Sequence, residues 1–217
     1  MQFLPEHTYH VYNQGNNREQ LFFERENYLY FLKKVEKHLV PHVNILAWCL
    51  MPNHYHILFQ VKPEYNSPDN IQESNKVGTL NRSIGIIQSS YTQAINKKLN
   101  RSGSLFRARA KAKSLAQESK THNDYGVNCF LYIHQNPIRA KLVTELEEWE
   151  FSSYQDYAGF RKGKLCDQEL ARDLFKLPID NKKFRAFSKQ TIPDEFLANV
   201  DFGLTDYLSD RNSDLVS

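Results

Sequence analysis

The spacing of apolar residues changes repeatedly along the first half of the chain, and this change restricts the fold more than any other feature. Alternation with a period of two indicates β-strands, whereas apolar residues at i, i+3, i+4 and i+7 indicate amphipathic helices. The pattern predicts elements at 7–13, 25–39, 43–51, 54–61, 80–95 and 106–113. They read in order as strand, helix, strand, strand, helix and strand. This order predicts an α+β protein with a ferredoxin-like βαββαβ sheet.

A further helix is predicted after the sheet, from about residue 123 to 136, where Pro137 ends or kinks it. The proline-containing and polar stretch 62–78 is predicted to be a loop. A chain of 217 residues is long enough for one buried domain and an appendage. We therefore expect a catalytic domain over 1–160 and an appended region over 161–217, acidic towards its end, whose role the sequence does not indicate.

Charge is segregated along the chain, although the net charge of +3 is too small to identify a nucleic-acid-binding protein. The stretch 74–117 contains no acidic residue and many lysines and arginines. Three cysteines without C-x-x-C spacing indicate neither a disulfide framework nor a cysteine zinc site. No apolar run approaches the roughly 18 residues that span a bilayer. We expect a cytoplasmic, nucleoid-associated protein with no membrane partner.

Two histidines, His54 and His56, share one face of the strand predicted at 54–61. The residues between and after them are apolar and should pack against the helices: Tyr55, Ile57, Phe59 and Val61. The histidines then point to the opposite, open face. Same-face side chains lie about 7 Å apart along a strand, so both imidazoles can converge on one metal ion. The alternative is a pair of exposed or hydrogen-bonded histidines without a metal.

The last predicted helix places Tyr132 and Asn136 one turn apart on a single face. A tyrosine hydroxyl, with a reference pKa of about 10, is a poor nucleophile unless a nearby group polarises the electrophile. The amide oxygen of Asn136 is a suitable ligand for a hard divalent cation that would do so. The alternative is that Tyr132 packs in the core and Asn136 only ends the helix.

The segment 106–113 alternates as F-R-A-R-A-K-A-K, which predicts a fourth strand with two different faces. Phe106 and the alanines, Ala108 among them, form the packed face. The opposite face carries four cations, Arg107, Arg109, Lys111 and Lys113. We interpret this row as a phosphate track. A solvated edge strand whose lysines discourage sheet-to-sheet association is the alternative.

These motifs together resemble the HUH single-tyrosine transposases, and in particular the REP-associated tyrosine transposase branch. The resemblance covers roughly the first 160 residues. It rests on W-C-L-M-P-N-H-Y-H-I-L-F at 48–59, Y-I-H-Q-N-P-I-R-A-K-L-V at 132–143, H-V-Y-N-Q-G-N-N-R at 10–18, R-S-G-S-L-F at 101–106 and W-E-F-S-S-Y at 149–154. Relatives often read N-R-G in the first-strand turn, where this chain has Gln14 in place of the arginine.

The resemblance implies a metal-dependent enzyme that cleaves and rejoins single-stranded DNA beside a hairpin-forming palindrome with adjacent guide bases. His54, His56 and Asn136 would hold Mg²⁺ or Mn²⁺, and Tyr132 would form a covalent 5′-phosphotyrosine intermediate. Asn16, Arg18 and Arg82 are expected to add DNA contacts to those of the basic row. The resemblance is compatible with a monomer or a homodimer.

Two other functions are compatible with parts of the pattern. An RNA-binding module can have the same strand order, but it stacks bases on aromatic residues of the open sheet face. The open face of the third strand is instead predicted to carry His54, His56, Leu58 and Gln60. A metal-dependent hydrolase that uses water would leave Tyr132 with only a structural role.

Overall fold

The computed structural model describes residues 2–65, 80–115 and 122–200. Residues 66–78 of the loop predicted at 62–78 lie outside these ranges, and residues 62–65 form a turn. The strands are β1 (Thr8–Gln14), β2 (Val43–Met51), β3 (His54–Val61) and β4 (Lys111–Ser114). The three long helices are α1 (Arg25–His38), α2 (Leu80–Lys98) and α3 (His122–Arg139).

The four strands form one antiparallel sheet in the order β2-β3-β1-β4. This is the arrangement that a βαββαβ chain produces in a ferredoxin-like sheet, so the predicted fold class is confirmed. Strands β2 and β3 form the predicted hairpin, whose turn contains Pro52 and Asn53.

Helices α1 and α2 pack together on one face of the sheet, as the alternation in β3 predicts. A reciprocal capping box between Glu24 and Asn27 begins α1. The buried Tyr55 accepts a hydrogen bond from Gln88 of α2 at 2.6 Å, and its ring lies 5.0 Å from that of Phe31 in α1. Full burial of a side chain such as Phe31 stabilises the fold by roughly 1.5–3 kcal/mol. The odd-numbered residues of β3 therefore belong to the core.

The fourth strand is shorter than the alternation predicts, because the segment before it contains extra residues. Phe106 forms an isolated bridge with Gly15, and Lys111 pairs with Tyr12. Two residues separate Tyr12 from Gly15, but four separate Phe106 from Lys111. The excess cannot be paired and interrupts the ladder, as in a β-bulge. The predicted packed position of Ala108 is therefore wrong, since this residue is exposed.

Helix α3 lies on the other face of the sheet, against β2 and β3. It continues through Pro137 to Arg139, about one turn beyond the predicted end. Proline removes one backbone hydrogen-bond donor from a helix, but the hydrogen bonds of the neighbouring residues can still form and continue the helix. Here the amide of Ala140 still donates to the carbonyl of Asn136 at 2.9 Å.

The C-terminal region adds the short helices α4 (Tyr154–Tyr157), α5 (Gln168–Phe175), α6 (Asn181–Ser188) and α7 (Asp194–Asn199). Helices α5 and α6 contact α3, and Phe184 of α6 is fully buried near Phe130 of α3. Residues 161–200 thus share an apolar cluster with the predicted catalytic domain, and the boundary at residue 160 stays a prediction. In the part of the chain that the structure describes, no helix is both long and apolar enough to cross a membrane.

Candidate active site

The two histidines of β3 point towards α3, on the face opposite Tyr55, as the alternation predicts. Their ring centroids are 5.0 Å apart. The face is not open, however, since His54 is only 5% exposed and His56 is 0% exposed. The sequence alternation identifies the face of a strand but not the element that covers it. The predicted open site is therefore a buried cluster beneath α3.

Helix α3 brings Tyr132 and Asn136 to the same cluster. The Tyr132 ring lies edge-on to His56, with 5.6 Å between the centroids. Asn136 is 1% exposed and lies close enough to His54 for its amide to raise the pKa of that imidazole. Asn136 is followed by three further helical residues, so it does not merely end the helix. The structure thus assembles the four residues that the sequence predicts for catalysis and metal binding.

Tyr132 is also packed against the C-terminal region. The Phe196 ring of α7 lies 6.3 Å from that of Tyr132 and 4.9 Å from that of Tyr125, measured between centroids. Tyr132 is 4% exposed in this arrangement. Tyr132 therefore packs in the core, as the alternative interpretation expects, and it also lies next to the histidines.

Burial keeps the imidazoles of the cluster neutral. It lowers the pKa of His54 to about 4, against the opposing effect of Asn136. Burial also lowers the pKa of His56 well below its ordinary value, and the neighbouring His10 and His54 add to this effect. A metal binds the neutral form of imidazole through a nitrogen lone pair. Both histidines are therefore in the protonation state that ligation requires at neutral pH.

The donor atoms of the cluster fit a divalent metal ion. Among the described residues, His54 Nε2 and both polar atoms of the Asn136 amide are buried without a well-formed hydrogen bond. Such atoms normally have a partner, and leaving one without costs about 1–3 kcal/mol. No group of three His, Cys, Asp or Glu side chains able to hold a metal occurs in 2–65, 80–115 and 122–200. The fitting set is thus two imidazoles and one amide.

Asn53 and His10, which the sequence analysis did not select, contact the Nδ1 atoms of the two predicted histidine ligands. His54 Nδ1 lies 2.6 Å from Asn53 Oδ1, and His56 Nδ1 lies 2.9 Å from His10 Nε2. Gln14 lies directly across from His54 in the ladder, and its buried Oε1 has no hydrogen-bond partner among the described residues. The alternation of β1 places His10 and Gln14 on one face, but the sequence does not show which strand pairs with β1.

Comparison with known proteins identifies the family of this chain. A family model described as "Transposase IS200 like" matches residues 4–122, which is more than half of the chain. The chain belongs to this family. The matched residues include both histidines and end where α3 begins. The placement of Tyr132 and Asn136 therefore rests on the structure and on their sequence motif.

A solved structure of a REP-associated tyrosine transposase bound to a REP hairpin has a similar fold. The TM-score is 0.53 at 19% sequence identity, with 83% of this chain and 87% of that chain covered. At this identity the likeness shows the fold alone. The search of curated proteins gave no match.

The predicted basic row of this IS200-like transposase is divided by the irregular segment before β4. Lys113 lies opposite His10 and Lys111 opposite Tyr12, so both share the face of the histidines. Lys113 Nζ is 5.2 Å from the centroid of the Tyr125 ring. Arg107 and Arg109 are exposed in this irregular segment, and Arg109 lines a cavity beside α2 on the other side of the sheet. The expected continuous row is therefore wrong, because the extra residues break the alternation.

The other predicted DNA-contacting residues of the transposase lie in different places. Arg82 is exposed on α2, in the helix layer opposite α3. Asn16 donates to the carbonyl of Ser104 at 3.1 Å, which links the turn after β1 to the segment before β4. The carbonyl of Arg18 accepts a hydrogen bond from Asn53 at 3.3 Å. DNA contact by these three residues stays a prediction.

Proposed function

We propose that this IS200-like transposase belongs to the REP-associated branch and cleaves and rejoins single-stranded DNA at a hairpin-forming palindrome. The observation that carries the proposal is the convergence of Tyr132, His54, His56 and Asn136 between β3 and α3. The fold likeness to a transposase bound to a REP hairpin supports the choice of a hairpin partner. Guide bases beside the hairpin are part of the same proposal.

Tyr132 acts as the nucleophile in this account. Its hydroxyl oxygen forms a bond to the scissile phosphorus while the bond from phosphorus to the 3′ oxygen breaks. The tyrosine proton is lost to solvent, and the departing 3′ oxygen gains a proton to become a hydroxyl. The 5′-phosphotyrosine retains the energy of the broken bond. A different 3′-hydroxyl can therefore attack it, rejoin the strands and restore Tyr132 without ATP.

The metal, Mg²⁺ or Mn²⁺, would be held by imidazole nitrogens of His54 and His56 and by the amide oxygen of Asn136, and when bound it supplies a Lewis acid for the phosphate. These ligands do not decide between the two ions. The neutral state of both histidines leaves their lone pairs available at neutral pH. Lys111 and Lys113, on the same sheet face, would contact backbone phosphates of the bound strand.

A covalent adduct separates this function from its alternatives. The protein is incubated with Mn²⁺ and single-stranded hairpin DNA from the region flanking its gene, and products are separated under denaturing conditions. We expect a protein–DNA adduct that disappears in excess EDTA. Cleavage without an adduct would indicate a hydrolase that uses water. Binding without cleavage would indicate a nucleic-acid-binding module, for which the half-buried Tyr12 beside His56 offers an aromatic surface.

A further inference from the structure

We propose that Asn53 and His10 are positioning residues that hold His54 and His56 with Nε2 directed at the metal. This inference rests on the metal site of the proposed function and adds residues to it. Neither residue would touch the metal, because each contacts the Nδ1 atom of one histidine. Their role is to fix which ring nitrogen carries the proton and how the ring is turned.

The hydrogen bonds of Asn53 determine the tautomer of His54. The Nδ2 group of Asn53 donates to the Arg18 carbonyl at 3.3 Å, which turns Oδ1 of the amide towards His54 Nδ1 at 2.6 Å. An amide oxygen only accepts hydrogen bonds, so His54 Nδ1 must carry the proton. In a neutral imidazole the lone pair is then on Nε2. This is the buried atom of His54 that makes no well-formed hydrogen bond among the described residues.

The turn after β1 holds Asn53 in this orientation. The amide of Gly15 donates to the Asn53 carbonyl at 2.8 Å. Asn17 and Arg18 both have positive φ, at 51° and 59°, and this conformation places the Arg18 carbonyl against the Asn53 side chain. A Cβ atom on Gly15 would lie 2.1 Å from the Glu19 carbonyl oxygen. The G-N-N-R motif therefore supports the metal ligand, besides any contact it makes with DNA.

The imidazole pair of His10 and His56 has only two neutral arrangements. In one, His56 Nδ1 donates to His10 Nε2, and the lone pair of His56 is on Nε2. In the other, His10 Nε2 donates to His56 Nδ1, and the proton of His56 occupies Nε2, where it blocks ligation. Metal binding through Nε2 therefore requires His10 to act as the acceptor. His10 is 1% exposed, so water does not readily replace it in this role.

Two pairs of variants of the full chain test these roles through Mn²⁺ affinity, measured by calorimetry without DNA. His10→Leu and Asn53→Leu remove the acceptors, and each should weaken Mn²⁺ binding by about 10- to 100-fold. His10→Gln and Asn53→Asp each retain an oxygen that can accept the Nδ1 proton, so affinity should largely return. Thermal unfolding in EDTA checks that all four variants remain folded. The proposal is overturned if both leucine variants bind Mn²⁺ with an affinity within about 2-fold of that of the original protein, because the expected loss of affinity is at least tenfold.

The tautomers are tested separately by nitrogen NMR of the histidine side chains in the metal-free protein. We expect His54 and His56 to carry their protons on Nδ1, and His10→Leu to remove this preference at His56 while His54 retains it. A proton on Nε2 of His54 or His56 in the original protein would contradict the positioning role, whatever the DNA chemistry. If the tautomers are as predicted but the protein binds neither Mn²⁺ nor Mg²⁺, the metal site and the proposed function are overturned instead.

Discussion

At the scale of single residues, the Asn136 side chain is a buried polar group whose proposed role as a metal ligand would explain why it is not apolar. Its amide is buried beside His54, and neither of its polar atoms has a well-formed hydrogen bond among the described residues. A buried polar group in this state destabilises the fold relative to an apolar side chain of similar shape. The arrangement is consistent with an amide retained for a metal ion rather than for packing.

Replacing Asn136 with leucine should therefore have opposite effects on stability and on metal binding. In EDTA, the free energy of unfolding of Asn136→Leu should rise by about 1–3 kcal/mol, because the desolvated amide is gone. Urea denaturation measures this change, and Mn²⁺ calorimetry should show weaker binding by the same variant. Asn136→Asp is the matched control that keeps an oxygen ligand and should retain Mn²⁺ binding. A leucine variant that is less stable in EDTA would contradict this account of Asn136.

At the scale of elements, the pairing of the strands decides which side chains share the sheet face that carries His54 and His56. Strands β1 and β4 place Tyr12 opposite Lys111 and His10 opposite Lys113, so the two lysines share the sheet face of His54 and His56. Lys113 also lowers the pKa of His10, after the larger effect of burial. In the proposed function, these two lysines are therefore the cations of the predicted row that would contact the DNA strand.

Salt dependence of DNA binding tests this element. Each phosphate contact on single-stranded DNA contributes a slope of about −0.7 to the plot of log affinity against log salt. Lys111→Gln and Lys113→Gln should each reduce the magnitude of the slope by up to that amount, as measured by fluorescence anisotropy with a labelled hairpin. Lys37→Gln, at an exposed position on α1, is the control and should leave the slope unchanged. An equal change in all three variants, or in none, would contradict a phosphate track on β4.

The elements also show what the sequence can and cannot predict. The alternation in β3 correctly separates His54 and His56 from Tyr55, because one period of two decides the face of a regular strand. The same reasoning fails before β4, where unpaired residues shift Ala108 out of the packed face. The partnership of His10 with His56 depends on the pairing of β1 with β3, which is long-range information that a local period does not contain.

At the scale of the whole molecule, buried neutral histidines connect stability to pH. Burial lowers the pKa of His10 and His134 to about 3 and that of His54 to about 4. The unfolded chain, with a histidine pKa of about 6.5, therefore binds more protons than the folded protein below that pH. The stability contributed by neutral burial is present above pH 6.5 and is lost as the pH falls towards the folded values.

The metal-free protein should accordingly become less stable between about pH 6 and pH 4, by up to about 1.4 kcal/mol per pH unit for each such histidine. His134 offers a variant outside the proposed ligand set, since its Nε2 contacts the Ser153 hydroxyl at 2.7 Å. In the variant His134→Gln, the free energy of unfolding should change less steeply with pH, because about one proton fewer is taken up on unfolding. Urea unfolding at several pH values measures this slope. An unchanged slope would show that His134 does not remain neutral in the folded protein.

The identity of the nucleophile is tested most directly by mapping the covalent adduct formed with hairpin DNA and Mn²⁺. Two tyrosines lie beside His56, with ring centroids 5.6 Å away for Tyr132 and 5.9 Å away for Tyr12. We expect mass spectrometry to place the DNA on Tyr132, Tyr132→Phe to form no adduct while still binding DNA, and Tyr12→Phe to form the adduct. DNA attached to Tyr12 or another tyrosine, or cleavage by Tyr132→Phe at a comparable rate, would contradict the account.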